Sequence, residues 1–308
     1  MTVVLGIAIV ILLFVASVFV VYDIIFSNNK KYMGNDNSLP HGEQYDPYHG
    51  TITKCVEEVL GVPYEKVTIE SDDGLTLVGK YYHLNDDAPV IIFFHGYRCS
   101  GIRDGNGMFL YTRKLGFNVL LVDQRAHGES GGKTITFGVK ERYDCLRWAE
   151  YVAKRFGENQ KIILAGLSMG AATVLMASDV GLPKNVRGII ADCPYSSPKG
   201  ILCSVVKEMR FPVKFTYLLA KLGAKWIGGF DVEEASALEA VKNTQIPILI
   251  IHGDDDRFVP CAMSKDCKMA ASDHVELVVI KGAGHGMSHC VDTPNYEKAV
   301  SAFFQKVL

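Results

Sequence analysis

Short apolar runs alternate with longer helix-like stretches through most of this 308-residue chain, and this alternation constrains the fold more than any other feature. Continuous runs such as Val90-Ile91-Ile92-Phe93-Phe94 are typical of parallel strands that are buried on both faces. The predicted strands are Lys66–Ser71, Leu75–Leu84, Pro89–His95, Phe117–Asp123, Lys161–Gly166, Val186–Asp192, Ile246–His252 and Val275–Ile280. The clearest predicted helices are Val139–Phe156, Met169–Val180, Ala262–Ala271 and Asn295–Leu308. This order predicts an α/β fold with a mostly parallel central sheet and helices on both faces.

The interval of residues 196–239 breaks this rhythm, because it contains no run that predicts a strand. We interpret it as a helical cap that lies over the strand ends. Its candidate substrate-binding residues are Phe211, Phe215, Tyr217 and Trp226. Its basic residues include Lys214, Lys221 and Lys225. These lysines either approach anionic lipid headgroups or form a solvated helix face.

The segment Val3–Tyr22 contains no charged residue and is almost entirely apolar. A helix of about 20 such residues spans the hydrocarbon core of a bilayer. A cleaved signal peptide is the alternative, but no basic region precedes the segment and it is longer than the apolar region of an ordinary signal. We therefore predict a single-pass transmembrane anchor over residues 1–27, a linker and entry segment over 28–63 and a globular domain over 64–308.

The membrane orientation is predicted from the lysines beside the apolar segment. Lys30 and Lys31 follow it, whereas no lysine or arginine precedes it. Positive residues favour the cytoplasmic side, so the globular domain is expected there.

Charge and cysteine spacing narrow the classes of partner. The formal net charge of −2 argues against a nucleic-acid binder, which normally has a basic surplus. The chain has eight cysteines but no CxxC pair, so the spacing of zinc sites is absent. Since several cysteines fall inside predicted helices, we expect buried free thiols rather than disulfides.

The segment Gly166-Leu167-Ser168-Met169-Gly170 lies between a predicted strand and a predicted helix. This is the context of a nucleophile elbow, in which a sharp strand-to-helix turn lifts the serine hydroxyl above the sheet and flanking glycines relieve the crowding. The alternative is an ordinary helix start capped by Ser168. The context favours Ser168 as the nucleophile.

A serine hydroxyl needs a base to remove its proton and an acid to orient that base. His285 follows the last predicted strand in a glycine-rich loop and is the candidate base. The acid is sought among Asp254, Asp255 and Asp256, which follow the penultimate strand and which chemistry alone does not separate. Two backbone amides are candidate oxyanion donors. They belong to Met169, beside the nucleophile, and to Tyr97, after the strand that ends at His95.

Five motifs in this order resemble those of the α/β-hydrolases, particularly the serine aminopeptidase-like or FrsA-like hydrolases. They are His95-Gly96-Tyr97, Asp123-Gln124-Arg125-Ala126-His127-Gly128-Glu129-Ser130, Gly166–Gly170, His252–Pro260 and Gly284-His285. The family pattern His-Gly-x-x-Asp-x-x-Val-Pro implies that Asp256 is the acid. The family commonly has glycine where this chain has Ala126. The resemblance covers residues 64 to 308 and implies a serine hydrolase that uses no cofactor or metal.

Three functions remain open on the sequence. The first, which we favour, is an esterase that cleaves small-molecule or lipid-like acyl substrates through Ser168, His285 and Asp256. The second is an amidase or aminopeptidase on the same residues, which would need an acidic group near the cap for a substrate amine. The third is a non-catalytic scaffold of the same fold. The sequence leaves the oligomeric state undetermined.

Overall fold

The structure is a computed structural model that describes residues 2–29, 31, 33–34, 36, 39–157 and 159–308. Within these residues the eight predicted strands form one sheet in the order β1-β2-β4-β3-β5-β6-β7-β8. The first two pairings, β1 with β2 and β2 with β4, are antiparallel, and all the others are parallel. The strands are β1 Glu65–Glu70, β2 Thr76–Tyr82, β3 Val90–Phe94, β4 Asn118–Asp123, β5 Ile162–Leu167, β6 Val186–Asp192, β7 Ile248–Gly253 and β8 Val275–Ile280.

Helices cover both faces of the sheet. They are α1 Thr2–Phe26, α2 His49–Leu60, α3 Gly101–Lys114, α4 Glu141–Phe156, α5 Met169–Ala177, α6 Pro198–Glu208, α7 Val213–Trp226, α8 Ala237–Asn243, α9 Ala262–Ala270, α10 Ser288–Val291 and α11 Thr293–Val307. The four helices expected from the sequence are present, with ends that move by up to three residues.

Two apolar cores lie on opposite faces of the sheet, because successive side chains of a strand point to opposite sides. In β3, Ile92 packs into the core that contains α4 and α5, and Ile91 packs into the core that contains α2, α3 and α11. All five residues of β3 are buried, as expected for a central parallel strand.

The predicted linker and entry segment, residues 28–63, contains helix α2, which packs on the globular domain. Helix α2 buries Ile52, Val56 and Val59, which lie on one helical face, and it packs against α3. Helix α2 has only 12 residues and follows a polar stretch, so its apolar pattern is a weak signal. The predicted domain therefore begins after it, at residue 64. Lys30, on which the predicted orientation depends, lies outside the described residues.

The predicted cap consists of α6, α7 and the loop that leads to α8. Helix α1 packs against α7, and its residues Val18 and Phe26 are buried. Among the described residues α1 is long and apolar enough to cross a membrane by length and composition, a test that a signal sequence also passes.

Candidate active site

Ser168 stands at a sharp turn between β5 and α5. Its φ of 55° and ψ of −111° lie in a region of backbone conformation that residues other than glycine rarely adopt. The turn requires glycine on both sides. A Cβ on Gly170 would lie 1.9 Å from the Phe94 carbonyl oxygen, and one on Gly166 would lie 2.4 Å from the Gly170 carbonyl carbon. The glycines thus let β3, β5 and α5 approach closely enough to hold the strained serine.

The structure brings Ser168, His285 and Asp256 together from three separate loops. His285 Nε2 lies 2.9 Å from Ser168 Oγ, and His285 Nδ1 lies 2.7 Å from Asp256 Oδ2. An imidazole protonated at Nδ1 donates to the carboxylate and leaves Nε2 free to accept the hydroxyl proton. This is the arrangement that nucleophilic catalysis by a serine needs.

Of the three consecutive aspartates, only Asp256 faces His285. Asp254 accepts a hydrogen bond from the Gly282 amide, and Asp255 accepts one from the Gln44 side chain. Asp256 Oδ1 accepts from the amides of Phe258 and Val259, at 2.9 Å and 2.8 Å. The turn after β7 therefore separates residues that chemistry alone left equivalent.

A second histidine also holds the Asp256 carboxylate. His252 Nε2 lies 3.1 Å from Asp256 Oδ2 and 2.9 Å from the Val259 carbonyl oxygen. Both neighbours are acceptors, so Nε2 carries the hydrogen, and Nδ1 accepts from the Ser264 hydroxyl at 2.7 Å. Burial raises the pKa of Asp256, but the hydrogen bonds from His252 and His285 outweigh burial and hold that pKa below its usual range.

The two candidate oxyanion donors flank Ser168. In the part of the chain that the structure describes, neither the Tyr97 amide nor the Met169 amide donates to another group. The loop of Tyr97 is fixed on both sides of that residue. The Gly96 amide donates to Asp104 Oδ2 at 2.7 Å, and the Arg98 amide donates to His127 Nε2 at 3.0 Å.

A cavity of about 210 Å³ opens beside Ser168 and is lined by both Ser168 and His285. It is smaller than the usual ligand pocket of about 300–1,000 Å³. Its wall is mostly apolar and comes from α3, the loop of β8 and the segment before α2. The wall includes Phe93, Tyr97, Met108, Leu167, Phe258, Met287 and Tyr296.

The four residues predicted to bind substrate do not line this cavity. Phe211, Phe215 and Trp226 are exposed on the outer side of the cap, and the Tyr217 hydroxyl donates to Glu233 at 3.0 Å. For the three that belong to α7, the reason is that this helix turns Leu219 and a group of small residues inward and its aromatic residues outward. Its buried residues are Leu219, Ala220, Gly223 and Ala224.

Several residues that the structure places around Ser168 were not predicted from the sequence. Tyr45, whose pKa burial raises to about 12, lies in the predicted linker and lines the cavity. Asp192 also lines the cavity, and its position at the carboxyl end of β6 is the signal that could have identified it. Asp104 is an acidic residue in the first turn of α3, a helix that the sequence reading did not single out.

Comparison with known proteins identifies a matching family and several similar sequences. A model of the alpha/beta hydrolase family matches residues 91–296. The uncharacterized protein YqkD of Bacillus subtilis is 28% identical over 240 residues, which cover 78% of each chain. The lysophosphatidylserine lipase ABHD12 of Danio rerio is 28% identical over 188 residues, which cover 58% of this chain and 46% of the zebrafish protein.

A solved structure has the same architecture. The Pyrococcus furiosus esterase Pf2001 superposes with a TM-score of 0.67 at 24% identity, covering 81% of this chain and 93% of the esterase. At that identity the likeness shows the fold alone. It confirms the predicted fold class, a mostly parallel sheet with helices on both faces.

Proposed function

The chain belongs to the alpha/beta hydrolase family, and from this we propose that it is a serine hydrolase that cleaves carboxylic esters. The observation that carries the proposal is the continuous hydrogen-bonded path from Ser168 through His285 to Asp256. Two further features support it, namely the strained serine turn and the cavity that opens onto it.

The proposed reaction proceeds through an acyl-enzyme. His285 takes the proton of Ser168 as the hydroxyl attacks the acyl carbonyl, and Asp256 holds the imidazole in the Nδ1–H form. The amides of Tyr97 and Met169 stabilise the negative charge that develops on the carbonyl oxygen. His285 then protonates the leaving alcohol, and water cleaves the acyl-enzyme by the same steps.

The acidic residues near the cap favour an ester over an aminopeptidase substrate. Glu233 is already paired with Lys199 and Lys221, and Glu234 is paired with Arg142. Inside the cavity, Asp104 accepts from the Gly96 amide and pairs with Arg103. Each of these carboxylates, unlike that of Asp192 in the cavity wall, is engaged by cationic or amide groups of the chain rather than left for a substrate amine.

We propose that α1 anchors the enzyme in a membrane, with the domain on the cytoplasmic side. Its composition fits a bilayer core, and the zebrafish relative is by name a lipase that acts on a lysophospholipid. A lipid-like ester is thus a candidate substrate. The small cavity favours a short acyl group, or the first carbons of a longer one that extends outside.

The test is Ser168→Ala in the full chain, purified in detergent and compared with the wild type on p-nitrophenyl acetate. Removal of the nucleophile should lower kcat about 10³-fold or more. A fluorophosphonate probe should label the wild type and not the variant. Equal turnover by the two proteins would contradict the proposal, and labelling without ester turnover would favour the amidase.

Esters of increasing acyl length then test whether the cavity favours a short acyl group. With p-nitrophenyl acetate, butyrate, octanoate and palmitate, kcat/KM should be highest for the short esters. The matched variant is Met108→Ala, which shortens a side chain of the wall and so enlarges the cavity. It should move the highest kcat/KM towards octanoate.

A further inference from the structure

Helix α7 of the cap lies directly against the helix that we propose to span the membrane. A Cβ on Gly223 would lie 3.0 Å from Tyr22 Cβ and 3.3 Å from the Val18 carbonyl oxygen. The two helices therefore approach backbone to backbone at the level of Val18 and Tyr22. Phe26, one turn further, packs edge-on against Phe230 at 5.5 Å between ring centroids.

The length of α1 determines how deep this contact lies. Residues 2–13 of α1 are exposed on all sides, and at about 1.5 Å per residue they span only about 18 Å. A bilayer core of about 30 Å needs about 20 residues. Any stretch of about 20 consecutive residues in the 25-residue helix α1 includes Val18, where α7 meets it. A span formed by α1 therefore reaches the level of α7.

The exposed surface of α7 has the residue composition expected of a helix at the level of a membrane surface. At about 100° per residue, Phe215, Leu218 and Trp226 form a stripe beside the face that contacts α1. These side chains are 53%, 45% and 59% exposed, which is unusual for a group of large apolar residues on one helix. Lys214 and Lys225 lie on the next face around the helix and are exposed.

We propose that α7 lies in the surface of an anionic bilayer, with Phe215, Leu218 and Trp226 among the acyl chains and Lys214 and Lys225 at the headgroups. The proposal rests on the membrane anchor included in the proposed function. An apolar stripe bordered by lysines is the composition of interfacial helices, and tryptophan is enriched at that depth. The cap is then a second membrane contact, which holds the mouth of the domain at the lipid surface.

The experiment uses the two tryptophans of the chain as reporters of depth. Trp148 is fully buried in the core, and Trp226 is exposed on α7. The full chain is reconstituted in vesicles of phosphatidylcholine and phosphatidylglycerol, with or without bromine on the upper acyl carbons. Bromine quenches only tryptophans that it touches. The emission lost in Trp226→Phe is the contribution of Trp226, and bromination should lower that contribution about twofold or more.

Two variants in the Trp226→Phe background calibrate the measurement. Leu12→Trp places a reporter in the middle of α1 and should be quenched. Leu115→Trp places an exposed reporter just before β4, at the amino ends of the parallel strands, whereas Ser168 lies at their carboxyl ends. This reporter should not be quenched. In vesicles with phosphatidylglycerol, the pair Lys214→Glu and Lys225→Glu should reduce the quenching of Trp226.

The outcomes separate this inference from the function on which it rests. If Leu12→Trp is quenched and Trp226 is not, α1 spans the bilayer while the cap stays in water, and the inference is wrong. If neither is quenched, the anchor itself fails and the inference fails with it. Neither result bears on Ser168, whose role is measured by ester turnover and probe labelling.

Discussion

Asp192 is a buried carboxyl beside the proposed catalytic residues, and among the residues that the structure describes it forms no ion pair with a lysine or arginine. Its Oδ1 accepts a hydrogen bond from the Ser288 hydroxyl at 3.3 Å. Burial is the main cause that raises the pKa of Asp192 to about 6. The folded protein therefore binds this proton more tightly than the unfolded chain does.

This pKa predicts how Asp192 affects stability. A carboxyl whose pKa is raised on folding stabilises the protein below its unfolded pKa and loses that contribution as the pH rises through its folded pKa. Asp192→Asn should remove this loss. Between about pH 4 and about pH 7, its free energy of unfolding should rise by about 2 kcal/mol relative to that of the wild type.

The measurement is urea unfolding of the detergent-solubilised chain at the two pH values. Asp179→Asn is the control, because it removes the same charge from an exposed position on the domain. A difference between wild type and Asp192→Asn that stays constant with pH would show that burial does not control the Asp192 proton.

At the scale of elements, the turn from β5 to α5 depends on contacts that leave no room for a side chain. Gly170→Ala would place a methyl group 1.9 Å from the Phe94 carbonyl oxygen, so β3 or α5 must move. We expect a loss of about 3 kcal/mol of stability or more, together with the loss of ester turnover.

Gly61→Ala is the matched substitution, since its nearest neighbour would be 3.5 Å away and its φ is −75°. It should change the stability by less than about 1 kcal/mol and leave turnover unchanged. Thermal unfolding and p-nitrophenyl acetate assays measure both effects. Equal behaviour of the two alanine variants would mean that the serine turn tolerates a displaced α5.

The elements that the sequence predicted are those whose signals are local. Continuous apolar runs predicted six of the strands, β3 to β8, since a strand buried on both faces leaves few polar positions. The turn sequence Asp72-Asp73-Gly74, a hairpin signature, predicted the pair of β1 and β2. Helix α3 was missed because Gly101, Gly105 and Gly107 weaken its helical pattern. The structure explains two of them: a Cβ on Gly105 would meet the Phe93 ring at 2.9 Å, and one on Gly107 would meet the His289 ring at 2.6 Å. Such packing between distant segments has no trace in local periodicity.

The site was predictable to the same extent. Strand ends and family motifs pointed to Ser168, His285 and Asp256, which the structure brings within hydrogen-bonding distance. The cavity wall was not predictable, because it depends on how α2, α3 and α10 are placed around Ser168. The aromatic residues of the cap were assigned to substrate because large apolar residues usually face inward. Beside a helix that spans a membrane, as we propose for α1, that assumption would reverse.

At the scale of the whole molecule, α1 is tied to the loop that carries a proposed oxyanion donor. The Tyr97 hydroxyl donates to the Ile25 carbonyl oxygen at 2.7 Å, and the Arg98 guanidinium donates to the carbonyl oxygens of Ile24 and Ser27. The Tyr97 ring also packs against Phe137 at 5.1 Å between centroids. The end of the proposed anchor is thus part of the framework that positions the Tyr97 amide.

Separation of α1 from the cap should therefore impair catalysis at a distance. Gly223→Leu places a large side chain where α7 meets Tyr22 and Val18, so α1 must shift away. The Tyr97 loop then loses its hydrogen bonds to α1. A misplaced oxyanion donor costs less than a deleted one, which is worth about 10²- to 10³-fold, so we expect kcat to fall about 10-fold with little change in KM.

Gly50→Leu is the control, because a Cβ there meets nothing within 4 Å and the residue lies on α2, away from the cap. Hydrogen exchange of the amides of residues 95–98 supplies a second readout, since a loop freed from α1 should exchange faster in Gly223→Leu alone. If both leucine variants keep wild-type kcat and wild-type exchange in this loop, α1 acts only as a tether. If the loop exchanges faster and kcat falls with it, the helix that we propose to hold the protein in the membrane also shapes its active site.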